Sequence, residues 1–181
     1  TIHVTGNPVI DALKMVAEMP YDVNSGPLKE IPWDKRILLV TAHRRENFGK
    51  PLENICAALR EIAARYVEDV QIVYPVHLNP NVQGPVYRLL DTVSNITLLP
   101  PLDYLPMVHL MQRCALVLTD SGGLQEEAPG LGKPVLVLRS AKCAGDRAPG
   151  SRGRRDGASG GNRRYTDCNL GAPVIGHFRR V

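Results

Sequence analysis

Apolar positions along this chain follow two alternating rhythms. Five short runs rich in branched aliphatic residues, Ile37–Thr41, Val70–Tyr74, Ile96–Leu99, Leu116–Thr119 and Pro134–Leu138, have the length and continuity of strands buried on both faces. Between them the period lengthens. From Pro51 to Tyr66, residues Leu52, Ile55, Cys56, Leu59, Ile62, Ala63 and Tyr66 recur every three or four positions, which predicts a helix with one apolar stripe packed on a sheet. Pro80–Leu90 and Tyr104–Arg113 predict two more helices. Gly122–Leu131 predicts another, cut near Pro129 by the missing amide donor. Upstream, Asn7 followed by Pro8 supplies a cap and a first-turn proline for a helix over Val9–Met19, and a connector, Pro20–Trp33, leads to the first strand.

Strand–helix alternation predicts the α/β class with a doubly wound parallel sheet, because parallel neighbours need crossover connections and helices usually supply them. Such a sheet collects ligands at the C-terminal ends of its strands. The expected organisation is a leading helix and connector over 1–35, a sheet domain over 36–139 and a separate tail over 140–181.

That tail breaks the rhythm. It holds eight of the 16 glycines, no glutamate and one leucine, Leu170, too little apolar matter to build much core. It also carries most of the basic excess. The chain has 22 Lys/Arg and 18 Asp/Glu, a net of +4, but nine of the basic and three of the acidic residues lie from Ser140 onward. The remainder has 13 basic and 15 acidic residues, a net of −2, so a generic nucleic-acid surface is not expected on the body and any anion site must be local. The 181 residues suffice for one ordinary core. Cys56, Cys114, Cys143 and Cys168 form no CxxC pair, so neither a metal site nor a disulfide framework is expected. With no long apolar run and no basic-then-apolar leader, the expectation is a cytoplasmic protein that does not engage a membrane.

Four loops that follow predicted strands carry candidate chemistry. Thr119-Asp120-Ser121-Gly122-Gly123 lies between a strand and a helix, where glycines allow backbone to approach a phosphate, although small residues suit any tight turn. Glu127 lies four residues past Gly123, on the same helical face, where a carboxylate can accept ribose hydroxyls; Glu126 reads as solvated surface. His43, Arg44 and Arg45, in Thr41–Gly49, offer an imidazole for proton transfer and forked donors for a diphosphate, or else form a solvated charge cluster. His77 and Asn79 sit in Tyr74–Pro80 as ligand contacts, with Asn79 equally suited to cap a helix. After the third strand, Pro100-Pro101-Leu102 can offer backbone groups to a base that Tyr104 or Met107 covers, though core packing also accounts for Met107.

Taken together, T-G-N-P-V-I-D, A-H-R-R-E-N-F-G, Y-P-V-H-L-N-P and L-T-D-S-G-G-L-Q-E-E-A-P-G-L-G-K-P-V-L-V-L-R resemble the bacterial non-hydrolysing UDP-N-acetylglucosamine 2-epimerases, in order and in spacing, from Thr1 to Arg139. The resemblance implies two Rossmann-type domains facing a cleft, the glycosyltransferase-B arrangement, with this chain matching the C-terminal one. It implies interconversion of UDP-N-acetylglucosamine and UDP-N-acetylmannosamine by loss of UDP to a 2,3-unsaturated sugar and re-addition, without a cofactor, in a family of homodimers. It further implies His43 as the active-site histidine; Ser121, Gly122, Gly123, Glu127, Arg44 and Met107 at UDP; and Arg44 with His77 at an effector UDP-N-acetylglucosamine.

Two departures accompany it. The carboxylates that move the C2 proton belong to the family's other domain, which would leave a UDP-binding remnant without catalysis. After Arg139 the family's D-T-T-E-R-P-E is replaced by Ser140-Ala141-Lys142-Cys143-Ala144-Gly145-Asp146, as a frameshift in GC-rich DNA produces; reading the other two frames beyond codon 139 tests this. A nucleotide-sugar glycosyltransferase domain is the remaining alternative, distinguished by its demand for an acceptor.

Overall fold

The computed structural model describes residues 1–3 and 6–138 and the backbone of Thr166–Asp167. The fold expected from the alternation is present. Strands β1 (Arg36–Thr41), β2 (Val70–Pro75), β3 (Ile96–Leu99), β4 (Leu116–Thr119), β5 (Val135–Val137) and β6 (Thr166–Asp167) form one sheet in the order β3-β2-β1-β4-β5-β6, and every pairing is parallel. The helices are α1 (Pro8–Ala17), α2 (Lys50–Arg65), α3 (Pro80–Leu90), α4 (Tyr104–Arg113) and α5 (Leu124–Gly130).

The two-residue period of the strands divides the core. Leu38, Val40 and Ala42 join one apolar cluster with Leu52, Ile55 and Leu59 of α2 and Val82 and Val86 of α3. Ile37 and Leu39 face the opposite way, into a second cluster with Leu13 of α1, Val108, Leu110 and Met111 of α4 and Ala128 of α5. Both faces of the sheet are therefore covered, which is why its central strands read as continuous apolar runs.

Element ends differ from the expected ones by a residue or two, mostly where proline or glycine intervenes. Helix α1 stops at Ala17, with Glu18 as C-cap, because a residue before proline is pushed away from helical geometry and Pro20 closes the segment. Pro134 lacks an amide to donate, so β5 begins at Val135. Helix α5 starts at Leu124, leaving Gly122 outside it and Gly123 as its N-cap, and continues one residue past Pro129. Asn7 caps α1 through its side-chain oxygen, accepting from the amide of Val9 at 3.1 Å.

Strand order reverses between β1 and β4. From β1 the chain winds outward through β2 and β3, and from β4 it winds the other way. The loops leaving these two strands consequently diverge onto opposite faces and leave a crevice at their C-terminal ends. No helix among the described residues is long and apolar enough to cross a membrane. Arg139, Cys143, Cys168 and the tail over 140–181 lie outside the described residues, apart from the β6 backbone.

Candidate functional site

The crevice is built from the register of β1 against β4. Thr41 pairs with Thr119, and their hydroxyls are 2.6 Å apart at the last rung of the ladder. Beyond that rung the chain turns out of both strands. The Asp120 amide donates to the Thr41 carbonyl at 3.1 Å and the Ser121 amide to Thr119 Oγ1 at 2.9 Å. Behind them the buried Tyr74 hydroxyl donates to the Ala42 carbonyl at 2.7 Å, fixing the first residue of the His43 loop. Burial drives the Tyr74 phenol well above its ordinary range, so it stays a donor.

His43 and Arg44 leave this rung half-buried, while Arg45 and Glu46 are exposed. Their backbone is held by Asp120, which is 0% exposed. Its Oδ2 accepts from the amides of His43 at 2.9 Å and Arg44 at 2.8 Å, and from Asn47 Nδ2 at 2.8 Å. Asn47 Nδ2 also reaches the Leu138 carbonyl at 3.2 Å. Neither Asp120 nor Asn47 carries a role in the sequence reading, although both lie inside its motifs. What hid them is distance along the chain: 77, 76 and 73 positions separate the partners of the three bonds.

Facing this loop is the Ser121-Gly122-Gly123 turn. A Cβ on Gly122 would meet Arg44 Nη2 at 3.2 Å, so the guanidinium lies directly against the turn. The Gly122 and Gly123 amides and the Ser121 hydroxyl find no partner among the described residues. Gln125 Nε2 donates to the Ser121 carbonyl at 3.1 Å, bracing the turn from α5.

Glu127 closes the crevice from α5. A Cβ on Gly123 would meet its Oε1 at 3.4 Å, and its carboxyl lies near the Tyr104 hydroxyl at the start of α4. Burial raises its carboxyl above the ordinary range, and the neighbouring Tyr104 hydroxyl partly offsets that. Met107, one turn along α4 from Tyr104, is half-buried and packs against the second apolar cluster. Glu126 instead faces outward, accepting from Asn7 Nδ2 at 2.6 Å and tying α1 to α5.

From β2 comes His77, exposed, with its ring stacked on His43 at 5.1 Å between centroids and 26° between planes. Its Nδ1 accepts the Asn79 amide at 3.1 Å, which in a neutral ring leaves the proton on Nε2. Asn79 itself caps α3, accepting from the amide of Asn81 at 2.9 Å. Of the two roles open to it in the sequence, the cap is the one its side chain fills.

A parallel sheet whose strand order reverses at a crevice, with helices on both faces, defines a Rossmann-like α/β fold. A family model described as UDP-N-acetylglucosamine 2-epimerase matches residues 1–150, somewhat past Arg139. The UDP-N-acetylglucosamine 2-epimerase of Salmonella typhimurium is 56% identical over 144 residues, which cover 76% of this chain and 38% of that protein. Among solved structures, the Neisseria meningitidis UDP-GlcNAc 2-epimerase bound to UDP-GlcNAc aligns with a TM-score of 0.66 at 46% identity, covering 75% of this chain and 38% of its own. Staphylococcus aureus MnaA in its UDP co-structure aligns with a TM-score of 0.68 at 45% identity, over 76% and 36%.

The chain belongs to the UDP-N-acetylglucosamine 2-epimerase family. It spans well under half the length of the curated relatives it matches.

Proposed function

We propose that this chain carries the UDP-holding part of a non-hydrolysing UDP-N-acetylglucosamine 2-epimerase, an isomerase that interconverts UDP-N-acetylglucosamine and UDP-N-acetylmannosamine. One observation carries the reading. The loop bearing His43 and Arg44 and the turn of Ser121, Gly122 and Gly123 meet across the strand-order reversal, with a guanidinium against unpartnered backbone amides. That is the donor set a diphosphate requires.

In this reading Arg44 and the Ser121–Gly123 turn hold the diphosphate and Glu127 accepts ribose hydroxyls. Met107 borders the base, and His43 stands beside the leaving oxygen. Negative charge grows on that oxygen as the sugar C1–O bond breaks, and an imidazole donor there lowers the barrier more than it stabilises bound substrate. Electron counting corrects one expectation. Loss of a proton from C2 and of UDP from C1 leaves a C1=C2 double bond, not a 2,3-unsaturated sugar. UDP re-adds at C1 and a proton returns to C2 from the opposite face.

Among the carboxylates at the crevice, Glu127 is assigned to ribose, Glu46 pairs with Arg44 Nη1 at 3.7 Å, and Asp120 is sealed beneath the loop. Proton exchange at C2 is thus assigned to groups outside the described crevice, and this chain to nucleotide binding. His77 and Arg44 are placed to meet a second UDP-N-acetylglucosamine as effector. The cytoplasm, where sugar nucleotides are made, and a homodimeric assembly complete the proposal.

Calorimetric titration of UDP into the folded chain tests it, with Ser121→Ala alongside. Loss of one hydrogen bond to a charged phosphate is expected to weaken binding by about tenfold, in line with roughly 1.5 kcal/mol. A folded chain that binds no UDP refutes the pocket.

A further inference from the structure

Of the charged groups around the crevice, one has no part in the proposed chemistry yet is completely enclosed. Asp120 is 0% exposed and stands between the two loops that the proposed function brings to one diphosphate. On one side it follows β4 and precedes Ser121. On the other, its Oδ2 gathers the amides of His43 and Arg44 and the side chain of Asn47, at 2.8–2.9 Å. Through Asn47 the same carboxylate is linked to the end of β5 at the Leu138 carbonyl, 3.2 Å away. The His43 loop, the end of β4 and the residue after β5 are thereby fastened together through the Asp120–Asn47 pair.

A buried carboxylate is expensive unless several donors surround it. The arrangement here is lopsided: Oδ2 takes three donors while Oδ1, equally buried, has no hydrogen-bond partner among the described residues. A carboxylate placed only to stabilise the core would gain more by sharing its bonds between both oxygens. Concentrating them on the oxygen that faces the His43 loop spends the charge on fixing that loop's backbone. An apolar core residue would leave two adjacent amides unpaired below a half-buried loop.

We infer that Asp120 is a positioning residue: it sets the backbone of His43 and Arg44 against the Ser121–Gly123 turn, and contributes to nucleotide binding through them without touching ligand. This rests on the nucleotide reading above, but its first test does not. Residue-resolved amide hydrogen exchange by NMR on the full chain compares wild type, Asp120→Ala and Asp120→Asn. Asp120→Ala is expected to speed exchange at the His43 and Arg44 amides by about tenfold or more, with Leu39 and Val117 in the sheet unchanged. Asp120→Asn keeps an oxygen able to accept the same three bonds and is expected to remain within about threefold of wild type at both amides.

Unchanged exchange at His43 and Arg44 in Asp120→Ala overturns the inference. So does equal acceleration at Leu39 and Val117, which makes Asp120 a determinant of the whole fold, and so does failure of asparagine to rescue. If Asp120→Ala does not fold, Asn47→Ala takes its place: about threefold faster exchange at the same two amides is expected, and no change there counts against the idea. A parallel UDP titration separates the two claims. Wild type that binds no UDP sinks the nucleotide reading while the exchange result still stands. Asp120→Ala that binds UDP as tightly as wild type, despite a loosened loop, overturns the positioning role.

Discussion

At Gly122 the constraint is space and not backbone conformation, whereas a Cβ on Gly123 would make only ordinary van der Waals contact. Neither is among the positive-φ glycines of the described residues, Gly6, Gly26, Gly49 and Gly132. A methyl on Gly122 would press on Arg44 Nη2 at 3.2 Å, and one on Gly123 would touch Glu127 Oε1 at 3.4 Å. The obstacle at Gly122 is the end of a flexible side chain, so Gly122→Ala is expected to alter folding stability by no more than about 0.5 kcal/mol. It moves the guanidinium away from the turn, however, and UDP affinity is expected to fall by about three- to tenfold, the scale of one compromised charge-assisted bond. Thermal melting and calorimetry on the same preparation check both halves; unaltered affinity would place Arg44 away from the phosphates. At this scale the sequence discloses residue types and order, which is how His43, Arg44, Ser121 and Glu127 stand out. It does not disclose that Asp120 fastens the His43 loop, or that Tyr104 lies near Glu127, because both pairs join segments that only the folded sheet makes neighbours.

Among the elements, the link from the His43 loop to α2 turns on a single residue. Gly49, the N-cap of α2, has φ 75° and ψ −131°, a region closed to residues bearing a Cβ. A Cβ there would meet nothing within 4 Å, so the cost of substitution is conformational and not steric. Gly49→Ala is accordingly expected to destabilise the fold by about 1–3 kcal/mol, read as a lower urea midpoint at unchanged slope. Stability equal to wild type would mean the loop can enter α2 another way. The final glycine of A-H-R-R-E-N-F-G thus belongs to the helix start and not to the ligand. Strands were readable because β1 and β2 are buried on both faces and mostly apolar, with Gln71 and Thr41 as their buried polar exceptions. Helix ends were less so: Pro20 trims α1, and the turn ahead of α5 keeps Gly122 out of the helix despite its helix-compatible sequence.

For the whole molecule, topology does what no single motif can. The same order β3-β2-β1-β4-β5-β6 that buries two apolar clusters also brings the loops after β1 and β4 face to face, with the His77 loop after β2 stacked alongside. Alternation of strands and helices in the sequence was enough to predict a doubly wound parallel sheet. It could not say that His43 and His77 would stack, since that depends on β1 and β2 being neighbours. The net charge of +4 misleads at this scale, because the excess lies from Ser140 onward while the rest of the chain is slightly acidic. The central claim is that the crevice at the strand ends is one nucleotide site. Mapping amide shifts of the labelled chain as UDP is added tests it most directly. The account predicts that His43, Arg44, Ser121, Gly122, Gly123 and Glu127 shift together along one saturable curve, while the C-terminal ends of α2 and α3, at the opposite edge of the sheet, stay still. Shifts centred on those helix ends, or none at saturating UDP in a folded chain, would contradict it.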